Sequence, residues 1–267
     1  MRIVLWVGNE ANQMALANKI HQLFPISGIV TETKKSKRAL TFSTIIEKVF
    51  EKLFLKAISA SWFGMLNYYH VRFSKWPETE ILNVENINAE ATISFTKSII
   101  PDLIIVSGTR LIKDKLLSLK PSIGIVNLHT GISPYIKGGP NCTNWCIATK
   151  QFHLIGNTIM WINKGIDTGN LITTEHTTFT SDETLPEVHI KVMEHAHELY
   201  LKSIHYLAEG RSKNIPQDTV VDGITYYSKQ WGLKEKINLV KNFKLFRNSI
   251  NSEANLKKKS IVQTIKL

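Results

Sequence analysis

The sequence predicts an α/β protein built on a doubly wound, mostly parallel sheet, with a small C-terminal hairpin and helical extension. Three observations carry that prediction. Short, near-continuously apolar runs rich in β-branched residues alternate with stretches of helical periodicity, the pattern of strands buried on both faces. The composition of the 267 residues, 43% apolar and 21% charged, is that of an ordinary globular chain able to bury a full core. An Asp-Gly pair late in the chain sits between two β-prone segments, as in a two-residue hairpin.

Residues Arg2 to Val7 form an apolar run ending at Gly8, and Glu10 to Leu23 follows with Met14, Ala15, Ala17, Ile20 and Leu23 at helical spacing: strand, turn, helix. Ile26 to Thr33 is predicted as a second strand. From Thr41 to Tyr69 the chain carries Phe42, Ile45, Val49, Phe50, Leu53, Phe54, Ile58, Trp62, Phe63 and Leu66. Glu47, Lys48, Glu51, Lys52 and Lys56 interrupt that pattern, so it is too charged to span a bilayer. It reads as an amphipathic helical insertion over residues 41–75, packed on the core, with membrane-surface or partner contact as the sharper alternative. Asp102 to Gly108 and Ile123 to His129 are predicted strands with helical Leu111 to Leu119 between them. His153 to Asn163 and Asn170 to His176 are predicted as further strands, and a long helix from Leu185 to Glu209 ends at Gly210. Thr219 to Val221 and Ile224 to Tyr227 flank Asp222-Gly223 as the hairpin. The organisation is therefore a core over residues 1–210 and an extension over 211–267, with no internal repeat.

The formal charge of +11 is concentrated at the end of the chain, where ten basic and two acidic side chains follow from Lys229 onward. No aromatic residues interleave with Lys257 to Lys259, so this stretch reads as a solvated, poorly ordered end rather than a nucleic-acid surface. Two cysteines cannot build a disulfide framework, and the first apolar run is too short for a signal peptide; both suit a reducing, cytoplasmic setting. Cys142 and Cys146 are expected to pack behind a loop without redox work, since no activating basic neighbour is evident. His189, His195, His197 and His205 on the long helix lack the i,i+4 pairing of metal ligands and read as a hydrated face with Glu194 and Glu198.

Asn127 and His129 stand two apart at the end of a predicted buried strand, so both side chains point to one face, in the crevice where open parallel sheets bind ligands. The following Ser133-Pro134-Tyr135-Ile136-Lys137-Gly138-Gly139-Pro140 loop lets backbone approach a ligand, and Asp167 in a Gly-Ile-Asp-Thr-Gly turn can return a carboxylate to the same crevice. Read singly, Asn127 is equally a turn cap and Asp167 an ordinary turn residue.

The order of these features, Asn127-x-His129, the Ser-Pro-Tyr-x-Lys-Gly loop, Trp145 on the next helix, then Gly165-Ile166-Asp167-Thr168-Gly169, resembles the formyltransferase family that uses 10-formyltetrahydrofolate. The resemblance covers roughly residues 100 to 210 well and the first strand-turn-helix loosely. It implies a Rossmann-like formyltransferase core and Asn127, His129 and Asp167 as the catalytic trio. It also implies Gly108, Thr109, Leu111, Gly165 and Ile166 around the folate, and Asn9, Asn12, Lys137, Gly138, Gly139 and Pro140 around the acceptor. Lys137 departs from the arginine many members carry there, and Lys lacks the planar fork that orients a carboxylate or phosphate. Gly8-Asn9-Glu10-Ala11-Asn12 only partly resembles the phosphate loop of the ribonucleotide enzymes and is no NAD fingerprint, although amides at this helix start can hold a diphosphate.

Attack of an amine on a formyl carbon builds negative charge on oxygen and positive charge on nitrogen. An amide and an imidazolium suit the first, and a carboxylate that orients the imidazole or a water suits the second. This chemistry requires no metal. The predicted hairpin tail resembles that of the nucleotide-sugar branch, so the expected acceptor is the amine of a nucleotide-linked amino sugar used in surface polysaccharide. A lipid-linked amino sugar, a methionyl-tRNA enzyme with the basic tail as RNA contact, and an inactive binding module on the same fold are the alternatives. An exposed hairpin edge makes a homodimer reasonable.

Overall fold

A computed structural model describes residues 1–34 and 55–267. Strands β1 (Ile3–Gly8), β2 (Ile26–Glu32), β3 (Ile81–Val84), β4 (Leu103–Ser107), β5 (Gly124–His129), β7 (Gly156–Trp161) and β8 (Leu171–His176) form one sheet in the order β3-β2-β1-β4-β5-β7-β8. The strands from β3 to β5 are parallel, and β7 pairs antiparallel with both β5 and β8. Strand order reverses between β1 and β4, which opens a crevice beyond their carboxyl ends.

Alternation explains why β1 is buried along its whole length. Ile3, Leu5 and Val7 face one core with Leu16 and Ile20 of α1 (Ala11–Leu23) and Leu199, Tyr200 and Ile204 of α6 (Leu185–Ala208). Val4 and Trp6 face the other, with Ile93 of α3 (Glu90–Ile99) and Leu116 of α4 (Asp114–Leu117). Each side chain of the strand thus leaves water on one face or the other. Tyr200 ties helix to sheet, donating 2.8 Å to the Val126 carbonyl and accepting at 3.1 Å from the Val106 amide. Helix α6 starts where the sequence says, with Glu187 accepting from the Thr184 amide at 2.8 Å, and stops before Gly210 at φ +75°.

Several elements differ from the sequence reading. The helix expected over Leu111 to Leu119 is the single turn α4, and β7 begins at Gly156 because Phe152–Leu154 is a 3₁₀ turn. Strand β3 and helix α3 are additional elements; β3 is short, and α3 buries Thr92, Ile93 and Thr96 on one face. Of the expected insertion, residues 41–54 lie outside those described; α2 (Lys56–Arg72) packs on α1 and α6 through Met65 and Tyr69. Among the described residues no helix is long and apolar enough to cross a membrane.

The hairpin does not form. Gln217–Thr219 is a 3₁₀ turn, and β9 (Ile224–Tyr226) pairs in parallel with β6 (Ile136–Gly138) instead. Gly223 serves a close approach rather than a primed turn: a Cβ there would lie 1.5 Å from the Pro134 carbonyl oxygen. Nor is the basic end loose. Helix α7 (Leu233–Ser249) sends Leu239 and Phe246, and the residues after α7 and after α8 (Glu253–Ser260) send Ile250 and Val262, into a core shared with Trp145 and Cys146 of α5 (Cys142–Ala148) and Val188 of α6. The Ile265 amide donates to Thr174 Oγ1 at 2.8 Å.

The histidines of α6 are not one hydrated face. His189 and His197 are buried and held neutral by desolvation, and His195 lies 2.9 Å from Thr177 Oγ1 and 3.2 Å from Glu175. Only His205 of the four is exposed, 3.0 Å from Glu209.

Candidate active site

Strand β5 carries Asn127 and His129 two residues apart, and both line a cavity of ≈ 460 Å³ at the carboxyl end of the sheet. Asp167 arrives from the β7–β8 loop, in the left-handed region at φ +51°, which Asp tolerates better than most side chains. Its carboxylate is the hub of the site. Oδ1 accepts from Asn127 Nδ2 at 3.3 Å, while Oδ2 accepts from the Gly138 amide at 3.0 Å and lies 3.1 Å from His129 Nδ1. The three residues that the sequence separates by up to 40 positions are therefore in direct contact.

The loop that presents Asp167 is held from below. Gln217 is buried and donates through Nε2 to the carbonyls of Asp167 at 2.8 Å and Gly169 at 2.6 Å. A Cβ on Gly169 would lie 1.6 Å from the Trp161 carbonyl oxygen, so no other residue fits that approach. The Gly-Pro loop is held from the far side: Trp145 Nε1 donates 3.1 Å to the Gly139 carbonyl and stacks on Tyr226 of β9 at 4.1 Å.

Burial opposes a charge on His129, but the Asp167 carboxylate and then the Cys142 sulfur beside it outweigh that and hold its pKa well above the ordinary value. Burial likewise opposes charge on Asp167, and the His129 charge, its hydrogen bond and the Gly138 amide outweigh it, so the carboxyl stays below the usual range. The pair is ionised. His129 Nε2 points at the Ile136 carbonyl at 3.2 Å, so both ring nitrogens have acceptors, as an imidazolium requires. Nε2 is thus turned to the loop. Of the three, Asn127, whose amide has a second N–H beyond the one on Asp167, is the residue with a donor left for the cavity.

Of the residues expected around the folate, Gly108, Thr109, Leu111, Gly165 and Ile166 all line the cavity. Of those expected around the acceptor, Asn12, Gly138 and Pro140 line it, whereas Asn9, Lys137 and Gly139 do not. Asn9 instead donates to Thr33 Oγ1 at 3.2 Å, Lys137 lies in β6 where its charge helps lower the Asp167 pKa, and Gly139 receives Trp145. The first turn is filled by its own acid: Glu10 is N-cap of α1, its pKa raised chiefly by burial, and a second anion there would meet that carboxyl.

Sequence reasoning missed Gln13, Trp62, Met193 and Ser228 on the cavity wall, all from segments far along the chain from the catalytic motif. Gln217 and its two carbonyl contacts also left no sequence signal. Cys142 corrects the reading of its surroundings: its sulfur lies 3.5 Å from His129 Nε2, a basic neighbour that spacing alone could not reveal. Asn12 Oδ1 and Gln13 Oε1 are buried without a protein partner and border the cavity, so they offer acceptors to a ligand with hydrogen-bond donors.

Residues 67–204 match the sequence model of the formyl transferase family. A methionyl-tRNA formyltransferase of Clostridium botulinum is 35% identical over 133 residues, 50% of this chain and 41% of that protein. The chain spans less than half the length of the curated relatives it matches, between 36% and 49%. The fold is shared with a sugar N-formyltransferase of a Shewanella species, at TM-score 0.58 and 13% identity over 94% of this chain and 90% of that one. It is also shared with the Helicobacter canadensis N-formyltransferase solved with folinic acid and dTDP-3-aminofucose, at TM-score 0.56 and 14% identity over 93% and 82% of the two chains.

Proposed function

Since the chain belongs to the formyl transferase family, we propose that it moves a formyl group from 10-formyltetrahydrofolate to the amine of a nucleotide-linked amino sugar. The observation that carries this is the Asn127–Asp167–His129 contact inside the cavity at the sheet's switch point. The walls suit the co-substrate. Leu111, Ile112, Ile162 and Ile166 give apolar faces for a flat heterocycle, and the backbone of Gly108–Thr109 and Gly165–Gly169 gives a polar edge. 10-Formyltetrahydrofolate supplies the formyl carbon, bonded to a nitrogen that leaves with a proton.

Asn127 donates its second N–H to the formyl oxygen as the acceptor nitrogen adds, a contribution of about 3 kcal/mol for one donor in a water-poor site. His129 contributes a fixed positive charge beside that oxygen, held in place by Asp167 and the Ile136 carbonyl. Asp167, with its pKa depressed, is a weak base; it serves by holding both donors and by ordering a water that carries the amine proton to the leaving folate nitrogen.

For the acceptor, the fold shared with a sugar N-formyltransferase runs through 94% of the chain, which favours the sugar branch. The second reading is methionyl-tRNA formylation, favoured by the curated relatives and the basic terminal stretch. Incubation with 10-formyltetrahydrofolate and either nucleotide-linked 3-amino and 4-amino sugars or charged initiator tRNA separates them. Formamide product on a sugar supports the proposal. Formylation of the tRNA alone, with affinity collapsing as salt rises, supports the second reading.

A further inference from the structure

Beside the main cavity lies a second one of ≈ 410 Å³, and the two share Leu111 and Ile112 as a common wall. Its remaining lining is mostly cationic: Lys113, Lys115 and Lys164 stand around it with Asp114. Asn88 fixes the dividing loop, donating to the Leu111 carbonyl at 3.0 Å and accepting from the Lys113 amide at 2.8 Å. We infer that this cavity binds the anionic glutamyl tail of the folate co-substrate and selects for forms carrying several γ-linked glutamates. The inference rests on the formyl-transfer reading and extends it to a ligand preference.

The chemistry of the two compartments matches the two ends of one molecule. A flat heterocycle and its benzoyl ring suit the apolar slot that ends at Leu111, itself half exposed toward the lysines. Beyond it, each added γ-glutamate brings one carboxylate and two methylenes, which suit ammonium groups around an apolar floor. The lysines are loosely committed. Lys164 reaches Asp114 at 3.1 Å and Lys115 reaches Glu90 at 3.3 Å, both pairs largely exposed and so readily exchanged for an incoming carboxylate. Arg110, next to Leu111 in the chain, is not available: it is held at 2.6 Å by the buried Glu32 and at 2.5 Å by the Glu85 carbonyl. A fixed arginine behind and three solvent-facing lysines in front leave the anion contacts to the lysines.

Calorimetric titration of the full chain with tetrahydrofolate bearing one or five glutamates tests this without knowledge of the acceptor. The expected result is a Kd at least ~10-fold lower for the pentaglutamate at low salt, shrinking as salt is raised because exposed ion pairs are screened. A variant with Lys113→Gln, Lys115→Gln and Lys164→Gln is expected to lose that gain and keep its affinity for the monoglutamate. Equal Kd values for the two tails, or a preference that survives the triple substitution, overturn the tail site and leave formyl transfer standing. Binding of neither folate overturns the formyl-transfer reading itself, and the tail site with it.

Discussion

Asp167 is the residue on which the site's polar contacts converge, because one carboxylate satisfies an amide, a backbone N–H and an imidazolium at once. Removing its charge strands the buried His129 cation, and losing one partner of a buried pair costs ~3–5 kcal/mol. Asp167→Asn is therefore expected to lower the His129 pKa, read by NMR titration of the ring, and to lower stability in denaturant melts. The pH dependence follows from the directions of the two shifts. His129, raised by folding, stabilises fully below its unfolded value of ~6.5 and loses that contribution as pH climbs through the raised native value. Asp167, lowered by folding, stabilises above its unfolded value of ~3.9 and loses it as pH drops through the depressed one. The stability gap between the protein and Asp167→Asn should thus be widest at mildly acidic to neutral pH and narrow at both extremes. A gap independent of pH would contradict the ion pair. The trio was legible in the sequence because two of its members are fixed by strand period and the third by a glycine-bounded turn. Cys142 beside His129 was not, since that contact depends on how the Gly-Pro loop folds back over β5.

At the scale of elements, the β7–β8 loop and the β6 loop are positioned from the terminal third of the chain. Gln217 bridges two buried carbonyls, and Gln217→Leu leaves both without their donor, a loss of ~1–3 kcal/mol. The expected outcome is a fall in melting temperature together with a lower kcat, because Asp167 is released; unchanged kcat in a folded variant would show that the loop holds itself. The hairpin prediction failed here for a physical reason. Asp222-Gly223 has the residues of a primed turn, but Gly223 is needed for contact with Pro134, and Ile224–Tyr226 finds its hydrogen bonds on β6. Local turn propensity cannot see a partner strand about ninety residues earlier. The central strands, by contrast, were legible because their burial on both faces removes polar residues and leaves a readable apolar run.

Across the whole molecule, the basic end is part of the architecture that supports the site. Phe246 is fully buried against Phe152 and Phe179, so Phe246→Ala is expected to cost ~3–5 kcal/mol in chemical denaturation. A near-neutral result would mean that α7 is not packed as described. The net charge hid this, because exposed Lys234, Lys241, Lys244 and Arg247 share α7 with the buried Leu239 and Phe246. The claim on which the account depends is that the amide, imidazolium and carboxylate at the end of β5 perform formyl transfer. The most direct measurement is product formation from 10-formyltetrahydrofolate and a panel of nucleotide-linked amino sugars, with the protein and with Asn127→Ala. The account predicts a formamide product whose rate falls ~10²–10³-fold in the variant while its fold is retained; turnover that survives the loss of Asn127 undiminished would contradict it.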